Sequence, residues 1–205
     1  MTGHPNDEET GTATVRRSPL AMAVLLLLAV EPKHPYGLRQ RIVEWDKDRV
    51  INVSQRNAIY QTMRRLERDG LIAVHETAKH EKRPERTVFR TTERGVQVSK
   101  EWVRDMLRVP AVEYPEFPAA LAFIASISRS DAVAVLRERL ETCERSLAGF
   151  ETEIDARVAE FDEVDPIHLV DADYQRAMAS AEITWLRGTI EKLEADRLNG
   201  FADGA

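Results

Sequence analysis

Five residue types able to hydrogen-bond to base edges or phosphates crowd into one short stretch: Ser54, Gln55, Arg56, Asn57, Tyr60, Gln61 and Arg64. Asn and Gln offer a donor beside an acceptor and Arg a planar fork, the groups that pair bidentately with base edges. Ser, Tyr, Arg and Lys reach phosphate oxygens. Lys79, Lys82 and Arg83 follow as a second basic group. The chemistry these residues suit is non-covalent recognition of a polyanion. Catalytic chemistry has little support. His34, His75, His80 and His168 are scattered, and there is no H-E-x-x-H, Gly-rich phosphate loop or nucleophile elbow. Asp162, Glu163 and Asp165 read as a solvated turn rather than a cation site. We expect no enzyme, no cofactor and no resident metal.

The surrounding elements must present these groups. Ser54 is the expected N-cap of a helix. Ile59, Met63 and Leu66 form its apolar stripe, and the polar residues fall on the opposite side. Asp69-Gly70 ends the helix, with Gly70 suited to a left-handed terminal position. Leu71–Glu76 and Thr87–Thr91 read as two strands joined by a flexible basic tip holding Lys79, His80, Lys82, Arg83 and Pro84. Upstream, helices are expected over Leu20–Ala29 and from Tyr36-Gly37 to Trp45, the second with a Leu38, Ile42 and Trp45 stripe. Downstream, Thr92-Glu93 opens a helix to Leu107 carrying Val96, Val98, Trp102, Val103, Met106 and Leu107. This order is that of a winged helix-turn-helix with one added helix. Arg16-Arg17 ahead of the apolar Leu20–Val30 imitates an export signal. The run is too short to span a membrane and reads better as a buried first helix.

Charge is segregated along the chain. The whole is acidic at −6, yet residues 15–108 hold 20 Lys/Arg against 12 Asp/Glu, and residues 109–205 hold 9 against 20. A basic N-terminal half on an acidic C-terminal half fits a DNA-binding domain joined to a different module. The boundaries expected are a disordered tail over 1–17, the winged domain over 18–109, a stiff Pro-rich linker over 110–118 and a helical domain over 119–205. In the last, Ser130 is the expected cap of a long helix. Its seam is Val133, Leu136, Leu140, Cys143, Leu147, Phe150, Ile154, Val158 and Phe161, close to a heptad. A second helix over Asp171–Leu198 places Ile183, Leu186, Ile190 and Leu193 on one stripe, with Tyr174, Met178, Ala181 and Trp185 nearby. One antiparallel hairpin cannot bury two wide apolar faces, so a second chain is expected to cover the rest. The fold class is therefore mainly α: a winged helix-turn-helix N-terminal domain plus an all-helical C-terminal dimerisation domain with long antiparallel, coiled-coil-like helices. The lone Cys143 excludes an intrachain disulfide framework and zinc spacing, a cytosolic pattern.

Over nearly its whole length the chain resembles the PadR family of bacterial transcriptional regulators. The matching segments are L-A-M-A-V-L-L-L-L-A (20–29), K-H-P-Y-G-L (33–38), N-A-I-Y-Q-T-M-R-R-L-E-R-D-G-L-I (57–72) and R-P-E-R-T-V-F-R-T-T-E-R-G (83–95). Y-P-E-F-P-A-A-L-A-F (114–123) and E-I-T-W-L-R-G-T-I (182–190) resemble the Vir-like branch of that family. The resemblance implies a homodimeric repressor whose C-terminal arms interlock. It also implies that Tyr60 contacts DNA and that the wing tip reaches a neighbouring groove or phosphate. Phe89 stands where many relatives carry Tyr, which removes a hydroxyl from that strand.

The expected partner is double-stranded DNA with a pseudo-palindromic operator, bound by a cytoplasmic homodimer with no membrane association. Gln55, Arg56, Asn57 and Gln61 are candidates for base readout, and Tyr60, Arg64, Lys79, Lys82 and Arg83 for phosphate contact. On this division Arg56→Ala relaxes sequence preference, whereas Lys82→Ala weakens binding to every sequence. Arg64 or Arg65 alternatively pairs with Glu67 or Asp69. The family includes regulators released by phenolic or other aromatic compounds, so a small effector is a further expected partner. Trp102, Phe123, Phe150, Met178 and Trp185 are candidates for its pocket, against the plainer reading that they are core or dimer packing. Cys143 reads as a small packed hydrophobe, with a redox crosslink as the alternative. The competing function is a helical protein-interaction adaptor without sequence-specific DNA binding.

Overall fold

The computed structural model describes residues 16–80, 83–160 and 165–201. The chain divides into two compact units, Met1–Val112 and Glu113–Ala205. The fold is mainly α, a winged helix-turn-helix followed by an all-helical unit. In the first unit α1 (Pro19–Val30) starts where Ser18 accepts from the Ala21 amide at 3.1 Å and Pro19 occupies the first turn. Its apolar run is core: Ala21, Val24, Leu25 and Leu28 are buried. α2 (Pro35–Glu44) is capped by His34, whose Nδ1 accepts from Gly37 N at 2.9 Å. Leu38 and Ile42 of α2 are buried, but Trp45 lies beyond the helix, 43% exposed, with the Arg41 guanidinium over its ring.

α3 (Arg56–Arg68) buries Ile59, Met63 and Leu66 in the same core. It ends in paired backbone bonds, Gly70 N to Glu67 O and Leu71 N to Leu66 O, both 2.9 Å. Gly70 has φ +69°. This is the six-to-one, five-to-two pattern that satisfies terminal carbonyls, with the fully buried Leu66 and Leu71 supplying the apolar contact that accompanies it. The expected Ser54 cap needs correcting here. The helix starts one residue later than a Ser54 cap requires, with Gln55 at the cap and no side-chain bond there. Ser54 is instead engaged by Asn52, whose Oδ1 accepts from both the Ser54 hydroxyl (2.7 Å) and its amide (3.1 Å). The local turn has outcompeted the helix for that hydroxyl.

Strands β1 (Ile72–His80) and β2 (Arg83–Thr91) pair antiparallel from Ile72↔Thr91 to His80↔Arg83. The hairpin is longer than expected. Lys79, His80, Arg83 and Pro84 lie on strands rather than on a free tip, and Lys82 falls outside the described residues. A ladder of backbone bonds does not need the apolar alternation by which strands are read, so this polar half is invisible to that pattern. The register slips between Ala78 and His80, close to where Pro84 lacks an amide to donate. The base of the wing is tied down. Lys33 N donates to Phe89 O at 3.1 Å and Phe89 N to Lys33 O at 3.0 Å, while the Phe89 ring packs on the core. Phe89 thus works through its backbone and its apolar face. The Thr91 hydroxyl donates to Leu25 O at 2.6 Å. Beside this bridge, Lys33 and then Arg41 hold the Glu31 carboxyl below its ordinary range, Lys33 by hydrogen bond at 2.5 Å and by charge.

α4 (Glu93–Arg108) buries Gly95, Ser99 and Trp102, with Val98 packed alongside. Leu107 is 83% exposed and is not part of that core. Thr92 caps α4 by accepting from Gly95 N at 3.1 Å, and its hydroxyl donates toward Gly70 O (2.9 Å) and Leu71 O (3.1 Å). Replacing it by Ala removes the cap and the link to the end of α3. We expect a loss of about 1–2 kcal/mol, which lowers the unit's melting temperature by about 5–10 °C. Thr92→Ser should melt within a degree or two of wild type, and equal melting of both variants would remove the hydroxyl's role.

In the second unit, α5 (Glu116–Leu121) begins inside the stretch expected to be linker. Pro118 falls in its first turn, where its missing amide has no helical partner to lose, and Phe117 packs on the unit's core. A 3-10 turn over Ile124–Ser126 follows. α6 (Arg129–Glu160) is capped by Ser128, whose hydroxyl accepts from Asp131 N at 3.1 Å; Ser130 instead shares a bond with Ser128. A 3-10 turn over Pro166–Leu169, capped by Asp165, leads into α7 (Val170–Glu194). Asp162 and Glu163, like Phe161, fall outside the described residues. The two long helices form an antiparallel hairpin cross-linked by ion pairs Arg129–Asp196, Arg137–Glu194, Arg139–Glu182 and Arg187–Glu144. Its core is Ala132 and Leu136 against Leu186, Ile190 and Leu193. Further along the α6 seam, Leu147, Phe150 and Ile154 are only half-buried and Val158 is exposed. No helix among the described residues is long and apolar enough to cross a membrane.

Candidate nucleic-acid interface

Helical geometry decides what α3 shows to its surroundings. Ile59, Thr62, Met63 and Leu66 are buried on one side. Asn57, Tyr60, Gln61 and Arg64, spaced three and four apart, share the other side and are exposed, with Tyr60 at 49%. An exposed Tyr among amides and an Arg, on a helix clamped from behind by core, is a preorganised set of donors, acceptors and one flat ring. Ser54 and Gln55 lead into this face and are also exposed. Arg56 opens the helix by its backbone position. Asp69 pairs with Arg68 at 3.2 Å; neither Arg64 nor Arg65 takes it or Glu67 in an ion pair among the described residues. Arg64 therefore stays with the exposed face, and the Arg65 Nε is buried without a partner.

The wing joins this helix through a short, ordered connection. Leu71 follows the end of α3 directly into β1, and Lys33 and Thr91 anchor β2 to the α1 side. Lys79 and Arg83 are therefore carried on paired strands, close to the turn of the hairpin. Sequence reasoning passed over Asn52 and Lys33. Asn52 two residues before Ser54 is a recognisable side-chain turn signal. The Lys33 bridge had none, because pairing to Phe89 joins residues far apart in the chain.

The aromatic residues considered for a small-molecule pocket sit in different surroundings. Trp102 belongs to the core of the first unit. In the second unit Phe150 is half-buried, Phe123 (74%), Met178 (53%) and Trp185 (44%) are exposed, and Trp185 meets Phe117 edge-on at 6.0 Å. Arg139 lies over the Phe117 ring at 3.5 Å and is paired with Glu182 at 2.6 Å. Cys143 is half-buried with its Sγ 3.9 Å from Glu182. Burial, and then the Glu182 charge, push its thiol up from the ordinary value, which disfavours the thiolate that disulfide formation requires. No cluster of metal-ligating side chains is found among the described residues.

Residues 24–101 match the family model described as the transcriptional regulator PadR-like family. The fold is shared with several solved structures. Bacillus subtilis PadR in complex with operator DNA is 20% identical with a TM-score of 0.70, covering 85% of this chain and 98% of that one. The same protein in complex with p-coumaric acid gives 19% identity and a TM-score of 0.68, with coverage of 85% and 98%. The Vibrio cholerae virulence activator AphA gives 18% and 0.64, with coverage of 86% and 98%. No curated protein matches the chain by sequence.

Proposed function

We propose, from the match of residues 24–101 to the PadR-like family of transcriptional regulators, that this chain is a member of that family and a sequence-specific DNA-binding regulator acting as a homodimer. The observation that carries the reading is α3. Its apolar stripe is fully committed to the core, while Asn57, Tyr60, Gln61 and Arg64 are held out together beside a paired wing. In a two-fold dimer each α3 enters a major groove, and the spacing of the two selects a pseudo-palindromic operator. Gln55, Arg56, Asn57 and Gln61 read bases. Tyr60, Arg64, Lys79, Lys82 and Arg83 hold phosphates, with Ser54 at the helix entrance. The dimer forms through the second unit, whose hairpin leaves Val135, Val158, Tyr174, Met178 and Trp185 exposed. The net negative charge of residues 109–205 keeps that unit off the phosphates. Such a regulator works in the cytoplasm, with its DNA.

By likeness to a PadR that has been solved both with operator DNA and with p-coumaric acid, we further propose repression relieved by a small aromatic effector. Phe123, Phe150, Met178 and Trp185 are its candidate contacts. Trp102 serves the first unit's core, so any effect of replacing it passes through stability.

The test is binding of the purified protein to the DNA upstream of its own gene and to a scrambled duplex, across a salt series. Two chains per site, and a preference for the upstream duplex that survives near-physiological salt, are expected. Weak, equal binding to both duplexes would favour the adaptor reading, in which the C-terminal helices recruit a protein partner. Loss of the gene should raise transcription from the bound promoter; a fall would mean that the chain acts as an activator, as AphA is described.

A further inference from the structure

We propose that the cleft between α2 and the entrance to α3 seats one phosphate of the DNA backbone, with Arg39 as its anchoring cation. The proposal deepens the DNA-binding reading above and rests on it. The cleft has a volume of about 430 Å³, and its lining includes Arg39 from α2, Asp48 and Arg49 from the turn that follows, and Asn52 and Ser54 just before α3. Two arginines against one aspartate leave the lining net positive. Arg39 is half-buried, and its Nε makes a long hydrogen bond of 3.4 Å to Val53 O. Val53 is itself a core residue, so the carbonyl that holds the guanidinium is fixed. That bond uses one of five guanidinium donors. The terminal nitrogens keep a planar fork suited to a phosphate's paired oxygens.

The adjoining backbone adds to this. α1, α2 and α4 each have a side-chain cap, from Ser18, His34 and Thr92. α3 has none and carries no acidic residue in its first turn. Its leading amides and the positive end of its dipole therefore keep their attraction for an anion beside Ser54. A cleft this open suits a backbone that passes across it. A phosphate held at the entrance of the helix adds affinity that does not depend on the base sequence.

Full-length Arg39→Ala and Ser54→Asp are titrated, beside wild type, with the upstream and scrambled duplexes at several salt concentrations. Arg39→Ala should bind both duplexes roughly five- to tenfold more weakly near ~0.1 M salt, with the slope of log K against log salt reduced by about 0.9. The ratio between the two duplexes should stay as in wild type. Ser54→Asp leaves the Arg39–Val53 bond in place and puts a carboxylate in the cleft, so it should weaken both duplexes at least as much. This second variant tests the seat without removing the guanidinium that ties α2 to Val53. Wild-type affinity and slope in Ser54→Asp, or a loss confined to the upstream duplex in Arg39→Ala, would overturn the seat and leave DNA binding standing. A wild-type protein without salt-dependent affinity for either duplex would overturn both.

Discussion

Gly95→Ala lowers the melting temperature of the winged unit by about 15 °C. Helix propensity alone expects the reverse, because Ala in place of Gly inside a helix is favourable by about 1 kcal/mol. The local packing is decisive. A Cβ at position 95 would lie 2.1 Å from Leu71 O and 2.8 Å from the Thr91 Cγ2. Neither neighbour can step aside cheaply. Leu71 O accepts from Thr92 N at 3.0 Å and its side chain is fully buried, while the Thr91 hydroxyl is bonded to Leu25 O. Relief requires α4 to move away from the junction of α3 and β1, which breaks the Thr92 cap as well. Overpacking of this kind costs about 3 kcal/mol or more, which exceeds the propensity gain. A thermal melt of the full chain followed by circular dichroism measures it. A shift of less than a few degrees, or a rise, would show that the junction is far more compliant than its hydrogen bonds indicate.

Asn57→Ala weakens binding to the operator on the order of 10- to 100-fold and leaves binding to a scrambled duplex nearly unchanged. A bidentate side chain–base pair is worth about 1–3 kcal/mol of discrimination, and each 1.4 kcal/mol is about tenfold. Asn57 is exposed on α3 beside Tyr60 and Gln61, while the helix is held by Ile59, Met63 and Leu66 from behind. Truncating it therefore leaves the fold intact, and the loss reports recognition alone. Arg64→Ala, by contrast, removes a phosphate contact and lowers affinity for both duplexes together. Titration of each variant against both duplexes at one salt concentration separates the two. Parallel losses on operator and scrambled DNA in Asn57→Ala would move this residue from reading bases to holding the backbone.

The parts of this protein that its sequence determined are those set by local periodicity. Ile59, Met63 and Leu66 fall three and four residues apart, and a helix must bury such a stripe and turn the intervening Asn57, Tyr60, Gln61 and Arg64 outward. Asp69-Gly70 ends that helix because only a residue at ease with positive φ closes the terminal bonds seen there. The apolar Leu20–Val30 run and the Ile183, Leu186, Ile190 and Leu193 stripe become core for the same reason. Tertiary structure alone decided where groups with more than one available partner went. Ser54 could cap α3 or join Asn52, and it joins Asn52; Ser128 rather than Ser130 caps α6. The wing extends to His80 and Arg83 and is held by Lys33, because a strand pair is completed by residues distant in sequence whose side chains carry no pattern. Phe117, read as linker, joins the second core once α5 folds back onto the hairpin. A period repeats within a few residues and can be read from them. A hydrogen bond goes to whichever partner the whole fold brings near, and no short window of sequence contains that choice.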